Sequence, residues 1–148
     1  MPYLVRLADR ALRDMEAIYD FIHAQASESA FEWFNDLARE IYSLERFPER
    51  GAVIPESKKL RHLLFGEKPS TYRIIYALDK RHHVVSVLHI RHGARAPLSA
   101  KEKKAAIALF AFSVCFAHEI PLFHAPGHPG FPCLDNENLA WTRPFFED

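Results

Sequence analysis

The sequence is short of several features that define large classes of proteins. Its only two cysteines, Cys115 and Cys133, form no CxxC motif, which argues against a disulfide framework and favours a reducing cytosol. Charged residues soon interrupt the apolar start of the chain, so we expect no secretory signal and a cytoplasmic protein. A glycine-rich phosphate loop, a nucleophile elbow and a paired acid dyad are all missing, and we expect neither a cofactor nor a metal.

Long hydrophobic runs are missing as well. The most apolar stretch, residues 105–117, contains Ser113 as its only polar residue. It is shorter than the roughly 20 apolar residues that a membrane-spanning helix needs, so we expect a packed C-terminal helix and no membrane association.

The net charge of zero conceals an asymmetry along the chain. Residues 1–104 contain 18 lysines and arginines against 14 acidic residues, whereas residues 105–148 contain one against five. Six of the nine histidines also lie in the first segment. A polyanion or an acidic partner protein is therefore expected to bind the first segment and not the second.

Two amphipathic helices are predicted in the first third of the chain. Leu12, Met15, Tyr19 and Ile22 recur at helical spacing, which predicts a helix over residues 10–26 with Asp9 as its N-cap. Ser29 and Glu32 have the spacing of a capping box and predict a second helix, which Pro48 ends. A short polar turn between them predicts an antiparallel helical hairpin.

Strands are predicted before and after this hairpin. Alternation predicts a first strand at residues 3–7, and later strands at residues 60–65, 71–78 and 82–91, with a loop over residues 49–59. The last strand is apolar on both faces, which indicates a central position. The order strand, helix, helix and three strands predicts an α+β fold, with the helical hairpin on one face of an antiparallel-rich sheet.

The end of the chain fits this pattern poorly. Ser99 and Glu102 again have capping-box spacing and predict a third helix from about Ala100, while the Pro-, Gly- and His-rich residues 124–132 predict an irregular tail. We therefore expect a domain over residues 1–104 and an atypical extension over residues 105–148. A zinc site in the extension is a weak alternative, because its candidate ligands lack paired spacing: Cys115, His118, His124, His128 and Cys133.

Three segments of the first 104 residues resemble the RelE/ParE family of type II toxin–antitoxin toxins. They are the helical hairpin from ALRDMEAIYDFI to LERFPERG, the strand STYRIIYALD, and the segment VVSVLHIRHGARAPL. The resemblance implies the sheet and hairpin described above and is closer to ParE-like members. Gyrase-directed and ribosome-directed toxins share this fold, so the resemblance leaves the target open.

Candidate site residues follow from strand alternation and from this resemblance. The apolar even positions of residues 72–78 turn Arg73 to the other face of the sheet. By resemblance to the nucleases of the family, Arg73 would contact a scissile phosphate, with Arg91 stabilising charge and His92 transferring a proton. A salt bridge of Arg73 with Glu56 or Glu67 is the alternative.

Further basic residues are predicted to bind RNA or a protein target. They are Lys58, Lys59, Arg61, His89 and Arg95. His89 shares a strand with Val85 and Val87, so a core or partner-contacting position is expected for it. We expect Arg73 and the basic residues after Leu88 to emerge on one accessible surface. The aromatic residues Trp33, Phe65, Tyr72 and Tyr76 follow the apolar faces and are expected in the core.

Three functions remain open at this point. The first is a toxin that binds a macromolecular target, with DNA gyrase favoured; the second is a ribosome-dependent mRNA endonuclease using Arg73, Arg91 and His92. The third is an inactive relative that retains only antitoxin binding, with the extension covering the basic rim. All three imply a cognate antitoxin as partner, in a homodimer or a toxin–antitoxin hetero-oligomer.

Overall fold

The computed structural model describes residues 1–55, 57–93, 99–102, 104, 105 and 108, and the backbone of residues 133–135 and 140–142. The chain begins with strand β1 (Leu4–Leu7), followed by helices α1 (Asp9–Phe21) and α2 (Glu28–Tyr42) and a 3-10 turn (Ser43–Glu45). Strands β2 (Ala52–Ile54), β3 (Ser57–Phe65), β4 (Tyr72–Asp79) and β5 (Val84–His92) follow, and then the short strands β6 (Cys133–Asp135) and β7 (Ala140–Thr142).

Five strands form one sheet in the order β1-β5-β4-β3-β2. Only β1 pairs in parallel, with β5, and the other neighbours are antiparallel. The predicted central position of the Val-rich strand is confirmed, because β5 lies between β1 and β4. β6 and β7 form a separate antiparallel hairpin.

The main core lies between the sheet and the two helices. It combines the apolar stripes of both helices with one face of the sheet, which we call the inner face, and includes Met15, Phe34, Ile74, Tyr76 and Val87. The predicted α+β architecture and the core positions of Tyr72 and Tyr76 are confirmed. Phe65 and Trp33 pack against the same cluster.

The opposite face of the sheet, which we call the outer face, carries a second apolar cluster. It is formed by Ile54, Leu60, Ile75, Ala77 and Leu88, all of them buried. Both faces of β5 are therefore buried, as the sequence indicated, and β4 is also buried on both faces, which the sequence did not indicate.

The helix boundaries differ from the predicted ones. Asp9 is the first residue of α1 and not its cap, and the cap position, Ala8, makes no side-chain hydrogen bond. The N-cap of α2 is Ser27, whose hydroxyl accepts from Ala30 N, and not Ser29. α1 ends before the predicted residue 26, and His23 has a positive φ of 54°.

The predicted loop over residues 49–59 and the tail also contain strands. β2 pairs with the start of β3 within the loop, and β6 and β7 lie in the extension, after the residues 124–132 that were predicted to be irregular. Residues 100–102, 104, 105 and 108 are helical, and the Ser99–Glu102 capping box is confirmed by reciprocal hydrogen bonds of 3.2 and 2.8 Å. The rest of the predicted third helix and the zinc candidates other than Cys133 lie outside the described residues. Of the helices in the described ranges, none has both the length and the apolar character to cross a bilayer.

Tyr76 fixes the turn that leads from the helices into the sheet. Its buried hydroxyl donates to the Pro48 carbonyl at 2.7 Å and accepts from the Gly51 amide at 3.1 Å. A side chain at Gly51 would collide with this hydroxyl, since a Cβ there would lie 2.5 Å from it. Burial raises the pKa of Tyr76, which keeps the hydroxyl protonated as a donor.

We expect Tyr76→Phe to lower the free energy of unfolding by about 1–3 kcal/mol, because the buried Pro48 carbonyl and Gly51 amide both lose their partner. Urea denaturation measures the loss. Tyr3→Phe is the matched control, since within the described ranges no hydrogen bond of the Tyr3 hydroxyl is found, and it should change stability by less than about 0.5 kcal/mol. Equal effects of the two substitutions would contradict the anchoring role of Tyr76.

Candidate functional site

Strand pairing brings two of the predicted arginines side by side on the outer face. Arg73 of β4 lies directly opposite Arg91 of β5, and Leu64 of β3 lies opposite Arg73 on its other side. Inner-face residues Tyr72 and Ile74 flank Arg73 along β4, which is why its side chain turns outward. We call Leu64, Arg73, Arg91 and the neighbouring His62 the outer-face cluster.

Among the described residues, Arg73 has an imidazole and no carboxylate beside it. Its Nη2 lies 3.3 Å from Nδ1 of His62. Because a guanidinium can only donate, this contact requires an unprotonated Nδ1, which places the ring proton of a neutral His62 on Nε2. Within the described residues no carboxylate comes within 4.0 Å of the Arg73 guanidinium, so the alternative salt bridge with Glu67 does not form. Glu56 lies outside the described residues.

Arg91 is largely buried, and the described residues compensate its charge only in part. Its Nη1 lies 3.7 Å from the Glu102 carboxylate, and only 16% of its side chain is exposed. This separation allows Coulombic attraction but is too long for a hydrogen bond, and within the described chain the buried Nη1 has no hydrogen-bond partner. Among the described residues, the Arg91 Nη1 is therefore a donor without a partner on the outer face, directly across from Arg73.

Glu102 connects this cluster to the start of the helix that follows the sheet. Hydrogen bonds from the Ser99 amide and hydroxyl hold the pKa of the Glu102 carboxyl below its usual value, and Arg91 contributes in the same direction. One carboxylate oxygen accepts from the Ser99 amide, while the other faces Arg91. The negative charge of Glu102 thus caps the helix N-terminus and also attracts Arg91 of the sheet.

His89 is buried and belongs to a different contact. Its Nδ1 lies 3.8 Å from Asp14 of α1, and the same carboxylate oxygen accepts from the Ile90 amide at 3.1 Å. Asp14 also pairs with Arg10 at 3.3 Å. The pairing of β1 with β5 ends at Val87, so the Ile90 amide has no strand partner from β1. The Asp14 carboxylate accepts its hydrogen bond instead. His89 pairs with Ile75 on the outer face and is buried, which agrees with the core position expected for it.

His92 does not lie on the surface that presents Arg73 and Arg91. It pairs with Tyr72, an inner-face residue, and their rings meet edge to face with centroids 5.2 Å apart. The expectation of one common surface holds for the two arginines and fails for His92. The reason is alternation, since consecutive residues of a strand point to opposite faces.

The remaining predicted residues are dispersed. Arg61 donates from Nη1 to the carbonyls of Glu49 and Gly51 at 3.1 and 2.8 Å and pairs with the Glu49 carboxylate at 3.8 Å, so its guanidinium supports the turn before β2. Lys58 and Lys59 are exposed at the start of β3. Arg95 lies outside the described residues.

Sequence reasoning missed His62 and the pairing of Glu102 with Arg91. His62 could have been found by aligning β3 with β4 across the turn after Phe65, because Phe65 pairs with Tyr72 and the register then carries His62 toward Arg73. The capping box identified Glu102, but its second partner depends on where the helix begins relative to the sheet.

Comparison with known proteins identifies relatives of the described domain. A family model described as the ParE toxin of the type II toxin–antitoxin system parDE matches residues 5–97. Toxin RelG of Mycobacterium tuberculosis is 33% identical over 97 residues, which cover 64% of this chain and 94% of RelG.

Comparison with solved structures also finds similar chains. A mutant of the E. coli toxin RelE in the free state is similar with a TM-score of 0.50 at 14% identity, covering 74% of this chain and 98% of that chain. The RelBE2 toxin–antitoxin complex of Mycobacterium tuberculosis has a TM-score of 0.41 at 26% identity, covering 62% and 99%. The likeness to RelE concerns the fold alone.

We expect a carbon-detected NMR titration to give Glu102 a pKa below 4.5, the usual value for its carboxyl. Since the folded state favours the ionised form, the charge stabilises the helix start above pH 4.5, and this contribution is lost as the pH falls through the folded pKa. Ser99→Ala removes the hydroxyl but keeps the amide, so it should return the pKa partway. A wild-type midpoint at or above 4.5 would contradict the capping role of Glu102.

Proposed function

The chain belongs to the ParE toxin family of type II toxin–antitoxin systems, and we propose that it arrests growth by binding a protein target, DNA gyrase, through the outer-face cluster. The gyrase target rests on the ParE-like character of the helical hairpin and of the segment VLHIRHGAR. The separation of His92 from Arg73 and Arg91 is the observation that favours binding over chemistry.

The chemistry of the outer-face cluster suits a protein partner with carboxylate groups. Arg73 offers a guanidinium without a carboxylate among the described residues, and the Arg91 side chain, 16% exposed, adds a second positive charge beside it. Leu64, 57% exposed, lies in the same row and adds apolar surface. Arginine beside an apolar side chain is the combination that dominates binding energy in protein interfaces.

The same surface is the proposed contact of the antitoxin. A cognate antitoxin that places acidic side chains over Arg73 and Arg91 would compete directly with the target, which accounts for neutralisation by occupancy. The exposed Lys58 and Lys59 would extend the attraction along β3. We propose that toxin and antitoxin form this hetero-oligomer in the cytoplasm.

Arg73→Ala should weaken inhibition of gyrase supercoiling by about tenfold or more, because truncation of a central interface arginine typically costs at least 1–2 kcal/mol. Purified full-length protein, DNA gyrase and relaxed plasmid provide the measurement. Arg39→Ala is the matched control, since Arg39 is exposed on α2 and pairs with Asp36. Unaffected supercoiling with the wild-type protein would refute the proposed target.

A second candidate function is ribosome-dependent mRNA cleavage, and the contact between Arg73 and His62 favours it. A phosphate held by Arg73 would have an imidazole within reach at His62, and a neutral imidazole can act as a general base. Arg91 would contribute positive charge to the developing phosphorane. In this arrangement His62 replaces His92 as the proton-transfer group.

If the protein is a nuclease, His62→Gln and Arg73→Ala should each reduce transcript cleavage by about 100-fold or more, the typical contribution of a positioned acid or base. Mapping of transcript ends after induced expression measures the effect. His82→Gln, in an exposed turn where His82 pairs with Asp79, should leave cleavage unchanged. Intact transcripts in cells arrested by the wild-type protein would exclude this function.

A further inference from the structure

His62 lies on the outer face between two apolar neighbours. It pairs with Ala52 of β2 on one side and with Ile75 of β4 on the other. Its ring reaches diagonally to β4, where Nδ1 of His62 lies 3.3 Å from Nη2 of Arg73. Both residues are partly exposed. The imidazole and the guanidinium therefore form a pair that a group from outside the chain can reach.

Positive charge prevails next to this pair. The ionisable groups that β4, β5, α1 and the helix after the sheet bring to this part of the sheet are Arg73, Arg91, His89, Asp14 and Glu102. Arg91 lies directly opposite Arg73, so two guanidinium groups are neighbours on this face. The two carboxylates contact β5, which is one strand farther from His62: Glu102 pairs with Arg91, and Asp14 with His89.

These surroundings disfavour a second proton on the His62 ring. Because a guanidinium only donates, Nδ1 of His62 is the acceptor in the contact with Arg73. A proton on Nδ1 would remove this acceptor and would place two cations side by side, with Arg91 nearby as a third. The neutral form of His62 is therefore the favoured one while no ligand is bound.

A bound oxyanion reverses this balance. Its oxygens accept from Nη2 of Arg73 and, once Nδ1 is protonated, from His62 as well, so that both side chains donate to one ligand. The negative charge of the ligand also offsets the repulsion between the two cations. Protonation of His62 and binding of the anion thus favour each other, and by linkage the coupling is reciprocal.

We propose that His62 and Arg73 form an oxyanion-binding pair that takes up a proton from solvent as it binds, with Nδ1 of His62 changing from acceptor to donor. The ligand group is a carboxylate of the partner, so this inference rests on the proposed function of the outer-face cluster. Because the bound state holds more protons, affinity increases as the pH falls through the range in which histidine titrates.

Sulfate is a suitable probe of the full-length chain, because its charge is constant in this pH range. At neutral pH and constant ionic strength, sulfate should shift the nitrogen NMR signal of His62 Nδ1 from the unprotonated to the protonated position. Wild-type affinity for sulfate should be about fivefold or more higher at about pH 6 than at about pH 8.

Two variants assign this pH dependence to a residue. His62→Gln keeps a donor and an acceptor but does not titrate, so it should lose most of the pH dependence of sulfate binding. His82→Gln is the matched control, since His82 lies in an exposed turn and pairs with Asp79. It should bind sulfate with the pH dependence of the wild type.

The inference is overturned if Nδ1 of His62 is protonated before sulfate is added or stays unprotonated at saturation, or if sulfate leaves the side-chain signals of Arg73 unchanged. It is overturned as well if His62→Gln retains the wild-type pH dependence. The gyrase target is judged separately. Proton-linked sulfate binding by a protein that leaves supercoiling untouched would support the pair and refute gyrase, whereas gyrase inhibition without proton-linked sulfate binding would refute the pair alone.

Discussion

The pairing of β4 with β5 determines which side chains the sheet offers to a partner. Ile75 pairs with His89, but the next residue, Tyr76, pairs with Val87, so Leu88 is an extra residue in β5. Such a bulge shifts the alternation by one position. Val85 and Val87 face the helices before it, and Ile90 faces them after it. The bulge therefore turns Arg91 outward beside Arg73 and turns His92 inward against Tyr72.

The bulge also marks the limit of what the sequence could predict about the site. Alternation correctly predicted that Arg73 points outward. The even positions of β4 are apolar and face the core, Arg73 is at an odd position, and β4 contains no inserted residue. The same reasoning failed in β5, because both its even-numbered and its odd-numbered positions hold apolar residues. Nothing in that pattern indicates the extra residue. Arg91 and His92 are consecutive, so only one of them could lie on the face of Arg73, and the bulge places Arg91 there.

The fold was predictable further than the site because it depends on longer patterns. Helical stripes and strand alternation extend over many residues, so a mistake at one position does not change the element. Caps depend on single residues. Ser27 and Ser29 are both suitable N-caps, and their hydroxyls contact each other at 3.1 Å, so the choice between them depends on how the chain leaves α1. β2 is only three residues long and pairs through a register shift, which leaves no periodic pattern in the sequence.

Compensation of charge distinguishes the structural arginines from those of the outer-face cluster. Arg61 has two backbone carbonyls and a carboxylate, and its role in holding the turn before β2 is complete within the chain. Arg91, which is more buried, has among the described residues one carboxylate, at a distance too long for a hydrogen bond. An unmet buried donor costs about 1–3 kcal/mol of stability. Under the proposed function, binding more than folding accounts for the residues of the outer-face cluster.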